Sequence, residues 1–214
     1  MGIIIACLFF TSCQQTDQGH PPYLIDDYLL TPNQKALFNY FSPNSTIQFF
    51  DSVNNAIMQL QEVSKTDNDS SVFQSGGDDG EGLSIYYNEL TNINPKFNFY
   101  CNLIAIPNND CLIGIEFLSQ IKNPYLISDF AFNPFDTNKS DTTYSPPEEV
   151  SSFSGNYSYK LSDSITFSSH TFYNVYYLKT PPSDTLVNNC YYSLSEGIVA
   201  FQMHSDSTFW IRSN

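Results

Sequence analysis

From Ser45 onward the hydrophobic positions recur with a period of two. Ile47, Phe49 and Asp51 alternate with Thr46, Gln48 and Phe50, and residues 52–55 supply a turn. Residues 56–63 carry helix-favouring Ala, Gln and Glu. Met58, Leu60 and Glu62 nevertheless alternate with Ile57, Gln59 and Gln61, and a four-residue turn makes a hairpin natural, so a strand is predicted. Further strands are expected over 83–90, 96–106, 111–118, 125–132, 157–161, 165–167, 171–179, 189–194, 198–204 and 208–211. Two polar stretches, 65–82 and 133–154, read as long loops, the second marked by Pro134, Pro146 and Pro147. Ahead of the strands, Ala36, Leu37 and Tyr40 share a helical face after Thr31-Pro32, which predicts a little helix near 33–40 that Pro43 ends.

About ten short strands with polar turns define a mostly β chain. The expected architecture is a single antiparallel β domain over residues 33–214, as a curved sheet, half-barrel or sandwich. No period-locked repeat is visible.

The N-terminus follows a different rule. Residues 3–10 form a short apolar run, well below the roughly 20 residues of a spanning helix. It closes on Phe10-Thr11-Ser12-Cys13, which reads as a bacterial lipoprotein signal: two small residues for the peptidase, then a cysteine whose thiol takes the lipid. Residues 1–12 are thus read as signal peptide, Cys13 as the lipidation site and 13–32 as a flexible tether, in which Tyr23-Leu24-Ile25 and Tyr28-Leu29-Leu30 could dock onto the domain. No Lys or Arg precedes the run, which points to a start codon upstream of Met1 or a truncated start. Gln14 after the cysteine offers no acidic retention residue, so the outer membrane is expected, with periplasmic face and cell surface both open.

Composition narrows the function classes. Lys plus Arg number 8 against 22 Asp plus Glu, a formal net charge of −14, which repels nucleic acid. Fifteen Tyr and 18 Phe favour strands. Beside Cys13, the mature chain keeps Cys101, Cys111 and Cys190. If the strands around them form a hairpin with Phe99 facing Phe117 and Leu103 facing Ile113, Cys111 lies opposite Ala105. The two cysteines then stand about 13 Å apart, beyond the ~7 Å Cα separation a disulfide tolerates. A bridge from Cys190 to either, or three buried thiols, both stay open.

Little in the chain announces chemistry. There is no GxSxG, SxxK or HExxH. His170 and His204 fall in or beside strands with Asp163 and Asp206 near them in sequence, the minimum for an acid–base pair. Glu148-Glu149 sits in a proline-rich loop and reads as a solvated turn. Asp78, Asp79 and Glu81, interleaved with glycines, are weak candidate ligands for calcium, with a spacing that departs from the EF-hand loop. Tyr191, Tyr192 and Trp210 are candidate ligand-binding residues, because exposed aromatic faces stack on sugars. Alternation sends about half of the aromatic cluster into the core.

Several of these segments carry a resemblance. Tyr40-Phe41-Ser42-Pro43 followed by Ile47-Gln48-Phe49 opens the domain. Asn174-Val175-Tyr176, Tyr191-Tyr192-Ser193, Gly197-Ile198-Val199-Ala200-Phe201 and Trp210 close it. Together they resemble small uncharacterised lipoproteins of the Bacteroidetes type. The resemblance implies an envelope-facing antiparallel β domain and supplies no activity.

The expectation is therefore a lipid-anchored envelope protein acting as a non-enzymatic binding or interaction module. It needs no cofactor, is held to the membrane by its lipid and meets an envelope protein or glycan. One alternative is a lipid or lipoprotein carrier with an apolar cavity. Another is an envelope-polymer hydrolase built on His170 or His204.

Overall fold

A computed structural model describes residues 23–24, 30–38, 45–51, 53–68, 73–74, 85–92, 97–106, 110–119, 127–145, 156–180, 186–204 and 207–213. The helix starts where the sequence places a cap. Thr31 Oγ1 accepts from the Gln34 amide at 3.3 Å while Gln34 Oε1 accepts from the Thr31 amide at 2.7 Å, a reciprocal capping box with Pro32 at the first helical position. One α-turn, α1 (Pro32–Lys35), then tightens into a 3-10 turn over Ala36–Phe38.

Strands fill the rest. In chain order they are β1 (Tyr23–Leu24), β2 (Thr46–Asp51), β3 (Ile57–Asn68), β4 (Phe73–Gln74), β5 (Ile85–Asn92), β6 (Phe97–Ile106), β7 (Asp110–Ser119), β8 (Ile127–Phe132), β9 (Thr142–Tyr144), β10 (Tyr157–Phe167), β11 (His170–Lys179), β12 (Val187–Ser193), β13 (Gly197–Met203) and β14 (Phe209–Arg212). β1 and β4 form a small two-stranded sheet. The other twelve make one antiparallel sheet in the order β8-β7-β6-β5-β3-β2-β14-β13-β12-β11-β10-β9. The sheet is two meanders, β2 to β8 and β9 to β14, joined where the last strand pairs with the first of the large sheet: Ile211 opposes Phe50 and Trp210 opposes Asp51.

The sheet curves until its halves meet face to face. Phe117 of β7 lies 5.3 Å from Phe201 of β13, and Phe132 of β8 lies 4.4 Å from Tyr176 of β11, between ring centroids. The Val187 amide donates to Ser128 Oγ at 2.8 Å across the same gap. The expected mostly β, antiparallel, curved architecture is the one observed. β8 and β9 remain the two ends of the sheet rather than partners in a closed barrel.

The β6–β7 hairpin has the expected register: Phe99 opposes Phe117, Leu103 opposes Ile113 and Cys111 opposes Ala105. Cys101, Cys111 and Cys190 are buried thiols, which settles the Cys190 alternatives in favour of small core residues.

Four boundaries differ from expectation. β3 runs on through Asn68, into the stretch read as loop, because Ser64 to Asn68 pair with Glu89 to Ile85. Phe73–Gln74 lies in that same stretch and pairs with Leu24 and Tyr23. β9 lies in the second expected loop and extends the sheet beside Tyr157, Ser158 and Tyr159. β10 is one strand and not two. Its ladder is interrupted between Ser162–Val175 and Ser164–Tyr173, where Asn174 takes φ 50°, a left-handed conformation that Asn tolerates. Polar residues hid all four from a hydrophobic period.

Candidate functional site

Period-two geometry separates the adjacent tyrosines that the sequence offered together. Tyr192 points inward and is fully buried; its ring is 5.6 Å from Phe132, and the Cys101 thiol lies 3.8 Å from its hydroxyl. It is a core residue, so its place among the ligand-binding candidates is corrected. Trp210 stands in the row with Asp51 and Phe201, half-buried, and packs against the main core.

Tyr191 points outward. Its ring lies against Tyr177 at 4.9 Å and 33°, with the rings of Phe167 at 5.1 Å and Phe209 at 5.7 Å meeting it edge to face. This outer cluster exists because the tip of the β10–β11 hairpin brings Ile165 and Phe167 against Phe172, Val175 and Val199. A polar line runs beside it. Tyr177 donates its hydroxyl to Asn189 Oδ1 at 2.9 Å, Asn189 Nδ2 donates to Gln202 Oε1 at 2.8 Å, and the Lys179 ammonium sits 5.4 Å from the Tyr177 ring centre. Burial, then Tyr177 and Cys190, push the Tyr191 phenol up to about 12, and burial followed by Asp141 raises Tyr177. Both stay protonated at neutral pH and act as neutral donors. Lys160, opposite Tyr177, and Lys179 put two of the chain's 8 basic side chains on this strip.

Of the acid–base groups weighed from sequence, His170, His204 and Asp163 do not converge, and Asp206 lies outside the described residues. His204 Nδ1 is 2.6 Å from Asn188 Oδ1, an amide, and the pair is at the surface. His170 is exposed and its ring rests on Phe172 at 4.9 Å. Asp163 pairs with Lys139 instead, at 2.5 Å. Cys13, Asp78, Asp79, Glu81 and Glu148-Glu149 lie outside the described residues.

A different acidic pair comes together. Glu116 of β7 stands directly opposite Asp129 of β8, both half-buried, on the face away from the main core. Tyr157, at the start of β10, packs with Ile104, Leu112 and Ala131 on that face. Burial, and secondarily Asp129, raise the Glu116 carboxyl above the usual range; burial raises Asp129 as well, opposed by Tyr157. Sequence reasoning passed this group over, because three residues on three strands share no spacing. Only the register of β7 against β8 unites the first two.

Comparison with protein-family models, with curated proteins and with solved structures finds no match to this chain.

Proposed function

We propose that the chain is a non-enzymatic binding module of the cell envelope, anchored through a lipid on Cys13, and that it holds a glycan on the outer strip of β11–β13. One observation carries the reading: the sheet's interior is occupied by its own rings, while Tyr177, Asn189, Tyr191 and Gln202 form a half-exposed aromatic and amide line outside. Aromatic edges beside amide donors and acceptors are the groups that meet an uncharged polyhydroxyl chain. Inter-layer contacts such as Phe132–Tyr176 and Phe117–Phe201 count against a carrier with an apolar cavity. The dispersed histidines count against a hydrolase built on them. The resemblance to small Bacteroidetes lipoproteins and the Phe10-Thr11-Ser12-Cys13 segment support an outer-membrane anchor.

Titration of the full chain with envelope polysaccharides, read by calorimetry, tests the site. Tyr191→Ala and Asn189→Ala are expected each to weaken binding about tenfold. Undiminished affinity in both variants, or cross-links that map a protein partner to the strip with no glycan bound, would overturn it. Palmitate labelling tests the anchor separately: the wild-type chain takes the label, and Cys13→Ala loses it and leaves the membrane fraction.

A further inference from the structure

We propose that the far end of the β10–β11 hairpin, residues 164–173, is a hinged flap over the outer strip, and that its Phe167 plugs the place where a sugar stacks on Tyr191. Within the sheet β10 pairs only with β9 and β11. β12 and β14 lie two and four strands away, about 10 and 19 Å at the ordinary strand spacing. Phe167, the last residue of β10, nevertheless has its ring 5.1 Å from Tyr191 of β12 and 5.2 Å from Phe209 of β14. The end of the hairpin therefore crosses the outer face of the sheet. Tyr177 reaches Tyr191 from the neighbouring strand, whereas Phe167 reaches it from above the face, the side on which a ligand arrives. A sugar that stacks there displaces the protein's own ring.

The hinge is the break in the ladder. No pair joins Asp163 to Asn174, and Asn174 lies in the left-handed region at φ 50°. Beyond it, Ser164–Tyr173, Ile165–Phe172, Thr166–Thr171 and Phe167–His170 form a short ladder of their own. The Thr166 and Thr171 hydroxyls bond each other at 2.9 Å. All of these bonds lie inside the flap, so they survive when it moves as a unit.

Few contacts hold the flap down. Among the described residues one hydrogen bond ties it to the body, from Ser193 Oγ to the Tyr173 carbonyl at 3.0 Å. The Lys139–Asp163 ion pair at the hinge is exposed and contributes little. The rest is apolar: Phe172 is buried with Val175 and Val199, and Ile165 and Phe167 pack on that cluster half-exposed. The other side of the flap faces water, with Thr166, His170, Thr171 and Tyr173 all exposed. A segment with its own hydrogen bonds, a break at its base and a small apolar footing opens locally while the sheet beneath stays folded. The closed flap keeps Tyr191 covered, and the fraction of open molecules sets the apparent affinity of the strip.

Thiol labelling tests the flap without any ligand. Val199 is fully buried in the cluster under the flap, while Cys101, Cys111 and Cys190 are buried elsewhere in the sheet. In the full chain carrying V199C, a conservative exchange of one small apolar side chain for another, N-ethylmaleimide is added and each labelled peptide is followed by mass spectrometry. The introduced thiol is expected to react about tenfold faster than the three native ones, which wait for global unfolding, and F167A should speed it about threefold more. Reaction in step with Cys101, Cys111 and Cys190 would make the hairpin end a fixed wall and overturn the flap. The plug rests on the glycan reading of the strip and is tested by calorimetry with lipopolysaccharide O-chains. F167A is expected to bind them about threefold more tightly than the wild-type chain, the opposite of Y191A. F167L should shift labelling and affinity in the same direction, which separates loss of the ring from loss of the fold. Equal or weaker binding by F167A and F167L would overturn the plug while the glycan reading stands. If neither the wild-type chain nor F167A binds, the plug falls together with that reading, and labelling alone decides the flap.

Discussion

The N-terminal half of the sheet faces the core with Phe99, Leu103, Ile113, Ile115, Phe117, Phe130 and Phe132, whereas the C-terminal half brings Tyr159, Tyr176 and Tyr192 to meet them. Hydrocarbon rings need only volume, but each inward phenol also needs a partner for its hydroxyl. Two of the partners come from the turn that leaves β8. Tyr176 donates to the Pro134 carbonyl at 2.8 Å, and Tyr159 donates to Asp136 Oδ2 at 2.6 Å. The turn itself is built for this, with Asn133 Oδ1 accepting from Phe135 N and Asp136 Oδ1 from Asn138 N, each at 2.8 Å. Apolar contact therefore closes the two layers, while two phenols, Tyr159 and Tyr176, fix which turn lies under which strand.

The largest effect should come from removing a ring where the halves touch. Phe132→Ala deletes contacts to Tyr159, Tyr176 and Tyr192 together and is expected to cost about 3–5 kcal/mol in urea unfolding. Tyr176→Phe keeps the ring and removes only the hydroxyl, leaving the Pro134 carbonyl without its donor. A loss of about 1–2 kcal/mol is expected. Should the two variants cost the same, the division between apolar closure and polar registration fails.

Much of this contrast could be read from the chain, and the unreadable part has a physical cause. The β6–β7 register follows from matching Phe99 to Phe117, because a one-residue slip would expose every core side chain on the strand. Glycine marked the start of β13: Gly197 has φ 78°, a conformation a side chain disfavours. The extension of β3 through Asn68 was hidden, because Lys65, Thr66, Asp67 and Asn68 enter the ladder through their backbones. Tyr191 and Tyr192 looked alike in sequence, and only strand direction sent one out and the other in. Glu116 and Asp129 meet for the same reason that they were invisible, since cross-strand partners have no fixed separation along the chain.

The outer faces extend the comparison to charge. On the N-terminal half burial raises both Glu116 and Asp129, with the Asp129 charge adding to the rise of Glu116, so each carboxyl binds its proton more tightly folded than unfolded. A raised folded pKa contributes stability that is fully present below the unfolded carboxyl range. That stability is lost as pH rises through the folded values. The wild-type chain is thus expected to lose stability as pH rises from the ordinary carboxyl range towards neutrality. E116Q/D129N should flatten that slope and gain about 0.5–1 kcal/mol at neutral pH, measured by urea titration across pH. An unchanged slope would mean that the pair is solvated well enough to ionise freely.

The C-terminal half carries its outer charges differently, and the smallest effect is expected there. Lys139 and Asp163 form an ion pair at 2.5 Å, with 60% and 74% of their side chains exposed. Water screens both groups, and holding two long side chains in one geometry offsets much of their attraction. Lys139→Ala and Asp163→Ala should each change stability by about 0.5 kcal/mol or less, with a double-mutant cycle giving a coupling no larger. Raising the salt should erase that coupling while leaving the Phe132→Ala loss intact. Geometry alone would rank the tight ion pair above the Glu116–Asp129 contact. Desolvation reverses the order, because two half-buried like charges without a counterion cost more than two exposed opposite charges can return.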